Sequence, residues 1–146
     1  MRMEAIKQIS IFMENKSGRM ARVAKALGDA GVNIRALAIA EAGDFGIVRM
    51  VVDDTEKGYR VLRDEGFTVS DTDVLAVAIH DSPGGLFEIA NTLGMNEINM
   101  DYAYAFVTAK AERAMLILRV DDVKKATEVL NEAGIRLETK EEIQKI

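Results

Sequence analysis

The chain has 146 residues, 49% of them apolar, and carries 19 Lys/Arg against 24 Asp/Glu for a formal charge of −5. It has no cysteine and a single histidine, which excludes disulfides, thiolate metal sites and a cysteine nucleophile, and argues against a His-based zinc site. No apolar run reaches the roughly 18 residues of a membrane span, and the opening Met1-Arg2-Met3-Glu4-Ala5-Ile6-Lys7 lacks the core and cleavage site of a signal peptide, so a cytoplasmic protein is expected.

In chain order, Ile9, Ile11 and Met13 alternate with Gln8, Ser10 and Glu14, the pattern of a half-buried strand. Met20, Val23, Ala24 and Leu27 follow at the i, i+3, i+4, i+7 spacing of an amphipathic helix. Residues 34–42 and 47–52 read as a hairpin turning at Gly43-Asp44-Phe45-Gly46. A second helix starts near Asp54, whose carboxylate can cap the free N–H groups of its first turn, and stops at Gly66, where positive φ is tolerated. A strand around 67–70 completes the unit.

The same series then repeats. Leu75, Val77 and Ile79 open it, and Leu86, Ile89, Ala90 and Leu93 form the first helix face. Residues 100–108 and 114–120 form the hairpin, a helix runs from Asp122 to Gly134, and 135–139 is the last strand. A shift of 66 places Gly18 on Gly84, Met20 on Leu86, Val23 on Ile89, Leu27 on Leu93 and Asn33 on Asn99. A shift of 68 places Val52-Asp53-Asp54 on Val120-Asp121-Asp122 and Gly66 on Gly134. The extra residues fall in the second hairpin loop at 108–113, where insertion costs little.

The expected fold class is therefore α+β: two ferredoxin-like β-α-β-β-α-β units, residues 1–71 and 72–146, lying side by side, each an antiparallel sheet with both helices on one face. Units of this size are marginal alone, so packing of the two and a homodimer are expected. The boundary Ser70-Asp71-Thr72-Asp73 is short and polar, too short to let the units tumble independently.

Charge divides unevenly. Residues 1–71 carry 11 Lys/Arg and 11 Asp/Glu, whereas residues 72–146 carry 8 and 13. No concentrated basic surface marks a nucleic-acid partner. Lys16, Arg19, Arg22 and Lys25 fall near one helix face, and a solvated surface explains them better than a phosphate-binding stripe, because the second copy has Ser82, Gly85, Glu88 and Asn91 there.

The connection from first strand to first helix is Asn15-Lys16-Ser17-Gly18 in one copy and Asp81-Ser82-Pro83-Gly84 in the other. Glycine admits a ligand close to the backbone, a helix start offers unpaired N–H groups to a carboxylate, and the Asn15 or Asp81 side chain can accept from an ammonium group. Pro83 suits a first helical turn. A plain N-cap explains the same residues equally well. Asn33 and Asn99, before the second strand of each copy, are read either as turn formers or as ligand contacts.

The pattern Asn/Asp-x-Ser/Pro-Gly-x-Met/Leu, then Val/Ile-Ala-x-x-Leu, then Val/Ile-Asn-Ile/Met, resembles the ACT domain, present twice and covering nearly the whole chain. The resemblance implies a regulatory module without catalysis or cofactor that binds an amino acid at interfaces between ACT units. It nominates Asn15, Ser17, Gly18 and Asn33 in the first copy and Asp81, Pro83, Gly84 and Asn99 in the second. Ser17 departs from the family's proline, and Glu97 stands where Gly31 lies in the first copy, which alters that turn in expectation.

His80 at the end of a strand, the pairs Asp53-Asp54 and Asp121-Asp122, the methionines and the alternating Tyr102, Tyr104 and Phe106 are read as a strand terminus, helix caps, core fillers and one sheet face. Three functions remain open: an amino-acid sensor acting on a metabolic enzyme partner, an oligomerising adaptor that has lost its ligand, and a small enzyme on this frame, for which no nucleophile–base pair or phosphate loop is present.

Overall fold

Alternating apolar side chains, glycine stops and aspartate starts place eleven elements among the residues that the computed structural model describes, 5–80, 82–106 and 113–144. They are β1 (Ile6–Glu14), α1 (Arg19–Asp29), β2 (Ile34–Ala42), β3 (Phe45–Val52), α2 (Thr55–Asp64), β4 (Thr68–His80), α3 (Gly85–Met95), β5 (Met100–Phe106), β6 (Arg113–Val120), α4 (Val123–Glu132) and α5 (Lys140–Gln144). The chain divides into two compact units, Lys7–Thr72 and Asp73–Ile146, Ile6 grouping with the latter.

In the first unit β3 lies between β1 and β2, antiparallel to both, with Glu14 opposite Phe45 and Ile34 opposite Val52. Ile9, Ile11, Val48 and Met50 face Val23 and Leu27 of α1 and Leu62 of α2, so both helices cover one sheet face. Burying each such side chain contributes about 2 kcal/mol. In the second unit β6 lies between β4 and β5. Leu75, Val77, Leu118 and Val120 pack there against Ile89, Leu93 and Leu130. Both sheets carry a register shift at the start of the second strand, at Ile34/Ala36 and at Met100/Tyr102, so the irregularity repeats with the sequence.

The expected fold class holds, an α+β chain of two ferredoxin-like units. Four expectations change in detail. The polar boundary at residues 70–73 is a strand: β4 runs unbroken from Thr68 to His80, merging the last strand of one copy with the first of the next. The strand expected at 135–139 shrinks to a bridge between Leu137 and Val77, flanked by Ala78 N donating to Arg136 O and Glu138 N to Ala76 O. The helix face is narrower than its spacing suggested, since Ala24, Leu86 and Ala90 are exposed while Val23, Leu27, Ile89 and Leu93 are buried. The face of β1 and β4 away from the helices is not solvated, because Gln8, Ser10, Val74 and Ala76 are buried. Gln8 Nε2 donates to Ser10 Oγ at 3.2 Å, which lets the amide remain there. The second hairpin loop at residues 108–113 lies outside the described residues up to Arg113.

α5 was not expected, yet its signal is Thr139-x-x-Glu142. Glu142 N donates to Thr139 Oγ1 at 3.2 Å and Thr139 N donates to Glu142 Oε1 at 3.3 Å, a reciprocal capping box. A hydrogen bond shared with the Glu138 carboxyl, and one from the Arg136 guanidinium, hold the Glu142 carboxyl down to about 2. A carboxyl whose folded value lies below its unfolded value, about 4.3, stabilises the fold above that unfolded value and stops doing so as pH falls through the folded one. Acid titration followed by circular dichroism should therefore show the Glu142 contribution lost between about pH 4.3 and about pH 2, and Glu142→Gln should lessen the loss of stability over that range.

Candidate functional site

A helix start leaves main-chain N–H groups without partners, and this chain satisfies them in two ways. At α2 and α4 the Asp54 and Asp122 carboxylates accept from Lys57 N at 3.2 Å and Lys125 N at 3.0 Å. At α1 and α3 the cap position is held by Gly18 (φ +87°) and Gly84 (φ +91°), and among the described residues no side-chain hydrogen bond caps either helix. The N-cap explanation of the loop therefore fails for Asn15, Ser17, Ser82 and Pro83. All four are exposed, as are both glycines. Asp81 lies outside the described residues.

Asn15 is tied to the β2–β3 turn: its N–H donates to Asp44 O at 2.8 Å, and its amide nitrogen reaches Gly43 O at 3.4 Å. Its side-chain oxygen remains an acceptor. In the second copy the loop closes through Gly85 N donating to Ser82 O at 3.1 Å. Gly85 is required here, because a Cβ on it would meet the His80 carbonyl oxygen at 2.3 Å.

Asn33 and Asn99 sit elsewhere. The register sets Glu14, Phe45 and Ala42 at one end of the first sheet and Ile34 with Val52 at the other. At about 3.3 Å per residue, the length of β2 separates Asn33 from the Asn15 loop by about 25 Å. One unit alone does not bring these candidates together. The main chain of Asn33 is instead latched to Asp53, which accepts from Asn33 N at 2.9 Å through Oδ1 and returns a bond from its own N–H to Asn33 O at 3.0 Å. Asp121 does the same for Asn99, at 3.1 and 3.2 Å. The aspartate pairs are thus one latch and one cap each, and no metal-binding cluster is found among the described residues.

The two asparagines differ in their side chains. Asn99 Nδ2 donates to Asp101 Oδ1 at 2.8 Å. The residue matching Asp101 in the first copy is Arg35, which offers no carboxylate. Sequence inspection passed over Asp53, Asp121 and Asp101 in these roles. Their signal was the same acidic residue before each cap and the single i, i+2 acid after Asn99.

The turn that carries Glu97 is not altered. Gly31 (φ +75°) and Glu97 (φ +57°) both adopt the left-handed conformation, and both helices end with the same pair of bonds, Gly31 N to Gly28 O with Val32 N to Leu27 O, and Glu97 N to Gly94 O with Ile98 N to Leu93 O. This is the Schellman closure, which favours glycine.

The basic residues on and before α1 are a solvated surface, as expected. Lys16 and Arg19 pair with Glu14 at 2.8 and 3.1 Å, Lys25 pairs with Asp29 at 3.0 Å, and the Arg22 guanidinium lies 5.0 Å from the centre of the Phe67 ring. A hydrogen bond from Lys16, and then the charges of Lys16 and Arg19, hold the Glu14 carboxyl below the usual carboxylate range. Tyr102 and Tyr104 are half-buried on β5, and His80 is exposed at the end of β4.

A left-handed non-glycine residue carries a cost of about 1–2 kcal/mol, part of which glycine gives back as unfolded-chain entropy. Glu97→Gly should raise the thermal midpoint by about 2–4 °C, and the matching exchange Gly31→Glu should lower it.

The model of the ACT domain pair matches residues 4–146. Among solved structures, the chain resembles protein BT0572 from Bacteroides thetaiotaomicron at 36% identity and a TM-score of 0.91, with 98% of each chain covered. The ligand-free regulatory subunit of aspartate kinase from Thermus thermophilus aligns at 14% identity and a TM-score of 0.65, covering 90% of this chain and 93% of that one. The corresponding subunit from Thermus flavus aligns at 15% and 0.62, covering 91% and 94%. No curated protein matches. ACT domains are regulatory modules, and no catalytic family is indicated. With one family model spanning all but the first residues, the chain belongs to the family of ACT domain pairs.

Proposed function

We propose that the chain is a cytoplasmic, non-catalytic sensor in which an amino acid binds at an interface between ACT units and regulates amino-acid metabolism through a partner enzyme. One observation carries this reading: α1 and α3 both start behind a left-handed, exposed glycine with no side-chain cap. A helix start so arranged offers N–H donors and a partial positive charge to a carboxylate. The Asn15 side-chain oxygen is an acceptor for the ammonium group. Because the loop and Asn33 stand at opposite ends of a unit, a ligand that touches both takes them from different ACT units, which suits a homodimer. The likeness to regulatory subunits of aspartate kinase supports a role exercised on a separate enzyme.

One observation favours a second reading, an oligomerising adaptor that has lost its ligand. The Asn99 amide is already engaged by Asp101, which lessens its availability to a ligand. A partner enzyme indifferent to amino acids would support it.

Thermal-shift and calorimetric titration with the proteinogenic amino acids separates the two. A ligand present at about 100 times its dissociation constant should stabilise the chain by about 2.7 kcal/mol. No response to any amino acid at about 10 mM, weaker than any affinity worth about 3 kcal/mol, would overturn the sensor reading. Asn33→Ala should cost more affinity than Asn99→Ala, since only the latter side chain is held by a neighbouring carboxylate.

A further inference from the structure

Each unit carries a groove bounded by the end of its first strand, the first turns of its first helix and the turn that follows its second helix. The grooves correspond through the repeat but are furnished oppositely. In the first unit, a cavity of 280 Å³ is lined by Glu14, Arg19, Arg22 and Phe67, so it holds two guanidinium groups of the chain's own. Arg19 is on the Glu14 carboxylate at 3.1 Å, and Arg22 lies 5.0 Å from the centre of the Phe67 ring.

In the second unit both arginines are missing. Gly85 replaces Arg19 and Glu88 replaces Arg22, and the cavity opens to 470 Å³, within the range of small-molecule sites. No side chain can return at Gly85 without displacing the His80 carbonyl, 2.3 Å from a Cβ built there. Ile79, Ile135 and Phe87 supply apolar wall. The remaining permanent cation in the lining, Arg136, is neutralised by Glu138 at 3.3 Å and by Glu142. Among the described lining residues Glu88 has no countercharge, so that lining is acidic, within the more acidic half of the chain.

We propose that the second-unit groove binds a small organic cation, a guanidinium or primary ammonium on an aliphatic stem. The cation stands against Glu88, where the first unit places its own arginine, and the stem lies along Ile79 and Ile135. Desolvation beside that apolar wall strengthens the pairing. The groove adjoins the Gly84 loop through His80 and Gly85, but its ligand needs no carboxylate, so the proposal does not depend on the amino-acid reading.

The test uses the full-length chain and agmatine, which has a guanidinium and an ammonium but no carboxylate, beside 1,5-diaminopentane, which has ammonium groups alone. Calorimetry should give a dissociation constant of about 1 mM or tighter for at least one of them, and the pair shows which head group is preferred. Glu88→Gln should weaken binding at least about tenfold, and Glu88→Arg, which restores the first copy's residue, should abolish it. Asn33→Ala should leave it unchanged. Glu88 is exposed on α3, and unchanged circular dichroism confirms that its variants fold. Absence of heat with both probes at about 10 mM, or unchanged affinity in both Glu88 variants, would overturn the proposal. An amino-acid response that survives in Glu88→Arg leaves the sensor reading standing whatever the groove does.

Discussion

Every helix leaves unpaired main-chain groups at its two ends, and the way this chain satisfies them organises both ACT units. At the C-terminal ends of α1 to α4 one solution recurs, a left-handed residue followed by an apolar one that packs back on the helix. Gly31-Val32, Gly66-Phe67, Glu97-Ile98 and Gly134-Ile135 all follow it. At the N-terminal ends there are two solutions. A carboxylate caps one first-turn N–H of each of α2 and α4, whereas glycine leaves α1 and α3 without a side-chain cap among the described residues. The closed ends are structural, and the open ends carry the candidate ligand loops.

The aspartate pairs show how little material the support requires. Asp54 and Asp122 cap a helix, while the preceding Asp53 and Asp121 reach back to the main chain of Asn33 and Asn99. One dipeptide thus fixes the start of a helix and the start of the second strand, at the end of the sheet away from the strand–helix loop. A ligand site assembled from both ends needs more than one unit.

Duplication has not kept the copies equal. Arg19 and Arg22 fill the first groove and are absent from the second, Asp101 engages Asn99 where Arg35 stands beside Asn33, and Glu97 occupies a glycine position at some cost in strain. Each exchange leaves the core residues untouched. The two copies thus differ at the surface while sharing a core, which is possible because surface exchanges cost little stability compared with exchanges in a packed core.

The repeat, the order of elements and most of their limits were legible along the chain, because they depend on local physics: strand alternation, helix spacing, an aspartate that caps its own helix and a glycine that ends it. It also contained the Thr139-x-x-Glu142 box of α5, although the pattern was not read there. The tertiary structure alone decided the rest. The latch from Asp53 to Asn33 spans 20 residues, the burial of Gln8 and Ser10 overrides an alternation that marked them as solvent-facing, and the strand through Asp71 and Asp73 overrides a polar stretch that read as a linker. It was likewise the structure that separated the uncapped loop at Gly18 from an ordinary N-cap, since both look alike in sequence and differ only in where a side-chain oxygen lies. Contacts of this kind arise between residues brought together from different parts of the chain, and neither propensity nor spacing encodes them.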